Sequence, residues 1–140
     1  MSASSYIIKP HGLAFRTEIR AMIESSGLVI AKSKEVILPA WALERIYYDL
    51  AERYRKAVFR QYKGVPVEVG LVNGEHAVEK LLCIAGRELN PIDCAPESIR
   101  FRFGGREPYM VDGVRCYANV IHRPRDASEA ADSVIIFNML

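Results

Sequence analysis

The stretch Val65–Gly86 reads VPVEVGLVNGEHAVEKLLCIAG, and its reading decides the fold. Val65 to Val72 is rich in Val and ends at Asn73-Gly74, which is a strand running into a turn. Ala77, Val78, Leu81, Leu82 and Ala85 then recur at helical spacing until Gly86 supplies the stop. The same alternation runs upstream. Tyr6-Ile7-Ile8 reads as a short buried strand halted by Lys9-Pro10-His11-Gly12. From Phe15, the spacing of Ile19, Met22 and Ile23 predicts a helix that Gly27 ends. Leu28 to Ile37, rich in Val and Ile, suits a second strand. Pro39 opens a helix with Leu43, Ile46, Tyr47 and Leu50 on one face, and a further helix is expected over Glu52 to Tyr62.

Downstream, periodicity fades between Arg87 and Arg115 amid Pro91, Pro96, Gly104, Gly105, Pro108 and Gly113, which predicts a loop far longer than the usual connection. Cys116 to Ile121 reads as a fourth strand, and Asp126 with Glu129 three residues on marks a capped start to a last helix. The order β-α-β-α-α-β-α-loop-β-α contains a split β-α-β arrangement. The expected fold class is therefore α+β and ferredoxin-like: a four-stranded antiparallel sheet with helices on one face.

At 140 residues, half of them hydrophobic, the chain has room for a single domain spanning 1–140. Its 19 basic and 17 acidic residues give a net charge of +2, too little to hold a nucleic-acid backbone or a membrane by charge alone. Any anion site must be local. Basic residues gather at Arg100, Arg102, Arg106, Arg115 and Arg123, although a charged loop is as often only a solvated face. No basic segment followed by an apolar run opens the chain and no stretch reaches the length of a membrane span, so a cytoplasmic protein is expected. Cys83, Cys94 and Cys116 are odd in number and form no C-x-x-C pair, which fits reduced thiols rather than a disulfide framework or a zinc knuckle.

Two places carry candidate chemistry. Lys9-Pro10-His11-Gly12 follows a buried strand, where a Lys reaches toward an anion and Gly permits close backbone approach; a solvated surface Lys is the competing reading. His122 ends the strand Tyr117-Ala118-Asn119-Val120-Ile121, where a histidine projects either as a reactive group or as a structural one. Strand alternation places Asn119 and Ile121 on the face opposite Val120 and His122 unless a bend intervenes.

Three separated motifs then agree in order with one family. Ile7-Ile8-Lys9-Pro10-His11-Gly12 resembles the I-K-P-D-G opening of the nucleoside diphosphate kinases. Asn90-Pro91-Ile92-Asp93-Cys94-Ala95-Pro96-Glu97-Ser98-Ile99-Arg100 resembles their N-P-x-D-s-x-P-G-T-I-R run, and Asn119-Val120-Ile121-His122 their N-x-x-H signature. The resemblance implies transfer of the terminal phosphoryl of ATP or another triphosphate to His122, and from phospho-His122 to a nucleoside diphosphate. It implies that Lys9 and Arg100 neutralise phosphate charge and that Asn119 contacts ribose or phosphates. Tyr47 or Tyr48 falls near the tyrosine beside the histidine, with Tyr48 standing as the candidate, and Tyr54 falls near the aromatic that stacks on the base.

The same resemblance implies Mg2+ carried on the nucleotide phosphates with no protein metal site, and a homo-oligomer, a dimer-based tetramer or hexamer. Several positions depart from the family. Leu82 or Cys83 stands where the family has an arginine, with Arg87 one turn on as its substitute, and Leu89 replaces a threonine. His11 replaces an aspartate, and Arg123-Pro124-Arg125-Asp126 replaces G-S-D. Val134 occupies the place of the glutamate that buttresses the histidine, leaving Glu129 or Asp132 as replacements. The segment between Arg100 and Asn119 is longer than in the family. Two other readings remain beside the kinase: a weakly active nucleotide-binding module of the same fold, and a small-molecule regulatory domain with a structural His122.

Overall fold

A computed structural model of the protein describes residues 1–140. Four strands, β1 (Ser2–Ile8), β2 (Val29–Ile37), β3 (Pro66–Gly74) and β6 (Ile121–His122), form one antiparallel sheet in the order β2-β3-β1-β6. The helices are α1 (Arg16–Ser25), α2 (Ala40–Ile46), α3 (Glu52–Tyr62), α4 (Ala77–Ala85), α5 (Ile99–Phe103) and α6 (Ala127–Met139). The ferredoxin-like expectation holds, α3 covers the span expected of it, and α4 falls where the apolar spacing put it.

Helices cover both faces of the sheet rather than one. On one face Tyr6 and Ile8 pack with Ile19 and Ile23 of α1 and Leu81 of α4. On the other, Ile7, Val67 and Val69 pack with Leu43 of α2 and with Ile136 and Phe137 of α6. The reason lies in β1, whose residues Ser4 to Ile8 are all buried, as a strand sandwiched between two layers must be. The first face also holds Glu68, 1% exposed, which accepts from Tyr6 Oη (2.7 Å) and from Arg20 Nε and Nη2 (2.8 and 2.6 Å). Gly70 lies under the Tyr6 ring, where a Cβ would meet Cε1 at 2.2 Å.

The region expected to be a long loop is built. Ser98 caps α5 by accepting from Phe101 N (3.2 Å), and β4 (Tyr109–Val111) pairs with β5 (Val114–Cys116) in a hairpin. Its turn residues Asp112 and Gly113 both have positive φ (51° and 76°), the geometry Asp-Gly favours between two short strands. Cys116 thus belongs to the hairpin, and the fourth sheet strand is shortened to Ile121–His122. The break is at Val120, whose φ of 59° is costly for a β-branched residue. Its neighbours enforce it: Lys9 N donates to Val120 O (2.8 Å), and Val120 N donates to His11 Nε2 (3.0 Å). Gly12 is required there, since a Cβ would lie 2.6 Å from Val120 O.

Candidate active site

The turn after β1 and the bend before β6 grip each other, and this grip positions the site. His11 serves as a hydrogen-bond acceptor for Val120 N, a task that only a neutral imidazole performs. Burial, then the nearby Lys9 charge, holds its pKa down at about 4. An aspartate would accept the same bond with a carboxylate oxygen, so the residue type changes and the acceptor remains. Lys9 Nζ donates to Asn119 Oδ1 (2.5 Å), and Asn119 Nδ2 donates to Leu89 O (3.1 Å), tying the lysine to the segment after α4. Burial, followed by Arg100 and Arg123, brings Lys9 down to about 7.

His122 pairs with Ile7 in the sheet and sets its ring against Tyr47, centroids 5.1 Å apart. Tyr47 Oη meets Tyr62 Oη at 2.7 Å, which fixes that ring from behind. Tyr47 is therefore the tyrosine beside the histidine. Tyr48 points outward, donating to Glu129 Oε2 (3.1 Å), because α2 ends at Ile46 and the following turn rotates the two residues apart. No protein group bonds a ring nitrogen of His122, and neither nitrogen is sealed off, since the one sealed, partnerless side-chain polar atom in the protein is Ser4 Oγ. Burial, then Lys9, Arg100 and Arg123, pushes His122 well below its usual pKa. At neutral pH it is an uncharged imidazole with an available lone pair, the form that acts as a nucleophile.

The cations around it have no acidic partners. Arg100, 4% exposed, donates from Nε and Nη2 to Ile121 O (3.2 and 2.9 Å) and from Nη1 to Glu88 O (2.7 Å). Arg123, 6% exposed, donates from Nε and Nη2 to Gly86 O (3.2 and 2.9 Å) and from Nη2 to Arg87 O (3.1 Å). Arg87 does not join them. Its exposed side chain pairs with Glu79 on the surface of α4, because the chain after Gly86 turns the side chain outward while its carbonyl faces Arg123. Sequence reasoning thus put the compensating cation at Arg87 and gave Arg123 no role, although Arg123 stood in the basic run directly beside His122.

A pocket of about 420 Å³ opens between α3 and the hairpin, bordered by Lys9, Asn119, Tyr47, Tyr54 and Tyr117. Tyr54 is 49% exposed there, with the Arg53 guanidinium 5.9 Å from its ring centroid. Tyr109 hydrogen-bonds Gln61, Arg60 pairs with Asp112 (3.0 Å), and Arg53 donates to Gly113 O (3.0 Å), so the hairpin is a wall fastened to α3. His122 itself borders a separate small cleft of about 40 Å³, together with Glu129 and Asp132. Neither bonds the histidine. Glu129 is held by Arg125 (N 2.8 Å, Nη2 2.6 Å), whose guanidinium keeps the carboxyl at about 2. Val134, where the resemblance implies a glutamate, has no polar group to offer.

Comparison with known proteins agrees with this geometry. A family model described as nucleoside diphosphate kinase matches residues 3–139. A curated nucleoside diphosphate kinase of Chlamydia trachomatis is 38% identical over 108 residues, covering 74% of this chain and 75% of the relative. The fold is shared with solved structures. A transition-state mimic of the Borrelia burgdorferi nucleoside-diphosphate kinase with bound vanadate and ADP superposes with a TM-score of 0.82 at 20% identity, covering 97% of this chain and 86% of that one. The apo nucleoside diphosphate kinase of Encephalitozoon cuniculi does so at 0.81 and 25% identity, covering 98% and 88%.

Proposed function

This chain belongs to the nucleoside diphosphate kinase family, and we propose that it moves a terminal phosphoryl group from a nucleoside triphosphate to a nucleoside diphosphate by way of His122. A ring nitrogen of His122 attacks the γ-phosphorus; the N–P bond forms as the bond to the β,γ-bridging oxygen breaks, and the diphosphate leaves with that electron pair. A second diphosphate then attacks the phosphohistidine through a terminal oxygen, and the imidazole departs neutral. Both halves ask positioning and charge stabilisation of the protein more than covalent chemistry.

The observation that carries this reading is a neutral, open imidazole beside buried cations that no carboxylate balances. Buried charges ordinarily have a partner, so this group is built for an anionic one. In the proposed roles, Lys9 neutralises phosphate charge, Arg100 fixes the Ile121 carbonyl and adds its field, Asn119 orients Lys9, and Tyr54 stacks on the base. The residues bordering the pocket include Lys9 and Asn119 and no carboxylate, a donor set that suits Mg2+ arriving on phosphate oxygens rather than bound in a protein cage. Bound in that way, the ion neutralises charge on the phosphates.

We further propose a cytoplasmic protein that assembles as a homo-oligomer. No helix is long and apolar enough to cross a membrane, and the unpaired outer edge of β2 leaves Val29 and Ile37 exposed. Light scattering on the purified protein tests the assembly. One observation favours the slower alternative, a nucleotide-binding relative with weak turnover: Glu129 is committed to Arg125 and leaves the His122 ring unbuttressed.

Incubation with γ-labelled ATP and magnesium, a chase with GDP, and a parallel His122→Ala protein decide between them. The kinase reading expects acid-labile label in the protein before it reaches GTP, and none in the variant. A wild type that binds nucleotide yet takes up no label would overturn it in favour of the binding module.

A further inference from the structure

Arg123 is the one cation of the site with an uncommitted guanidinium nitrogen. Arg100 uses Nε, Nη1 and Nη2 on carbonyl oxygens. Arg123 uses only Nε and Nη2, on the carbonyls of Gly86 and Arg87 just past α4. Its Nη1 has no protein partner, and it is not among the sealed polar atoms, so it faces solvent. The two carbonyl contacts hold the fork still, and the C-terminal end of α4 favours a cation there. Neighbouring acids do not balance that charge: Glu129 is taken by Arg125, and the ion pairs of the protein do not include Arg123.

A clamp for the end of α4 explains the carbonyl contacts and, through the helix end, the charge. It does not explain why the third nitrogen is left open beside a second buried guanidinium that no carboxylate balances. A charged guanidinium held still by two of its nitrogens offers the N–H groups of the third to a phosphate oxygen. We propose that Nη1 of Arg123 is a direct phosphate ligand, filling from the residue after the histidine the place that Arg87 was expected to fill. The inference rests on the nucleotide reading of the site and deepens it. Burial and Arg100 bring Arg123 down to about 9, which leaves it charged at neutral pH.

The test is calorimetric binding of ADP and of adenosine to wild type, Arg123→Gln and Arg123→Lys. Gln keeps a donor for the Gly86 carbonyl without the charge, and Lys keeps the charge without the fork. Loss of a charge-assisted hydrogen bond predicts a fall in ADP affinity of about ten- to a hundredfold in Arg123→Gln, with adenosine affinity unchanged and partial recovery in Arg123→Lys. Equal losses for ADP and adenosine, or no loss for either, reduce Arg123 to a clamp and overturn the proposal, as does a wild type that binds no ADP. If the variants fail to fold, titrating wild type with pyrophosphate while following the Arg123 guanidinium nitrogen resonances decides: movement supports the contact, and stillness overturns it. Because binding is read without turnover, a wild type that binds ADP through Arg123 but never labels His122 defeats the kinase reading alone.

Discussion

Binding of ADP at pH 8 should draw a proton out of solution, and Lys9 is the group that takes it up. In the free protein Lys9 lies at about 7, held down by burial, Arg100 and Arg123. At pH 8, one unit higher, only about a tenth of the molecules carry the charged ammonium. A phosphate charge about 4 Å away contributes on the order of 4 kcal/mol at the effective dielectric of a protein surface, which is roughly three pKa units. Lys9 would then titrate near its ordinary value and be almost fully charged in the complex. The expected uptake is therefore about 0.9 proton per site. Calorimetry of ADP binding in two buffers of different ionisation enthalpy reads the uptake directly. Lys9→Arg should bind ADP with no uptake, because a guanidinium keeps its proton. No uptake by wild type, or equal uptake by the variant, would refute the account of Lys9 as a lysine whose charge the ligand restores. The same shift has a signed effect on the free protein. Its folded value lies below its unfolded one of 10.5, so the unfolded chain binds more protons between about 7 and 10.5. Unliganded stability should therefore rise with pH across that window, and saturation with ADP should remove the rise.

Other consequences are more local. Arg20→Ala should destabilise by about 1–3 kcal/mol in denaturant unfolding, since it leaves the buried Glu68 carboxylate with only the Tyr6 hydroxyl and Arg16 at 3.9 Å, whereas Glu68→Gln should cost less because Arg20 is partly exposed and can return to water. Equal costs would count against the asymmetry. Gly12→Ala should unseat the turn through its 2.6 Å approach to Val120 O, lowering both the unfolding midpoint and the rate of label uptake; an unchanged protein would show that the Lys9 turn is not held there. For His11 the folded pKa of about 4 lies below the unfolded 6.5, so its contribution is intact above pH 6.5 and is lost as pH falls toward 4. His11→Asp should keep the acceptor for Val120 N and flatten that part of the acid limb, which thermal melts across pH 4–7 would reveal.

Much of the site was legible because its motifs are local. The turn chemistry of Lys9-Pro10-His11-Gly12 and the strand end at His122 are set by neighbours in sequence, and the structure brings Lys9, Asn119, Arg100 and His122 to one place. Asp112-Gly113 also carried a hairpin signal, but it sat between strands too short for their alternation to register. Tyr48 and Arg87 point outward for another reason. Each lies next to the turn where a helix ends, and a rotation of one residue there exchanges the buried side chain for the exposed one.

The sequence by itself determined the ferredoxin-like sheet and the helices that flank it up to Gly86, since periodicity, glycine stops and capping residues act over a few positions, and its three motifs marked His122 as the candidate histidine. Tertiary structure alone decided that Tyr47 rather than Tyr48 faces His122, that Arg123 rather than Arg87 stands in the cation group, and that Val120 adopts a positive φ. Those outcomes depend on hydrogen bonds and packing between segments far apart in the chain, such as His11 to Val120 and Arg123 to Gly86. Such partners leave no trace in local spacing, because what selects them is burial, which exists only once the chain has closed on itself.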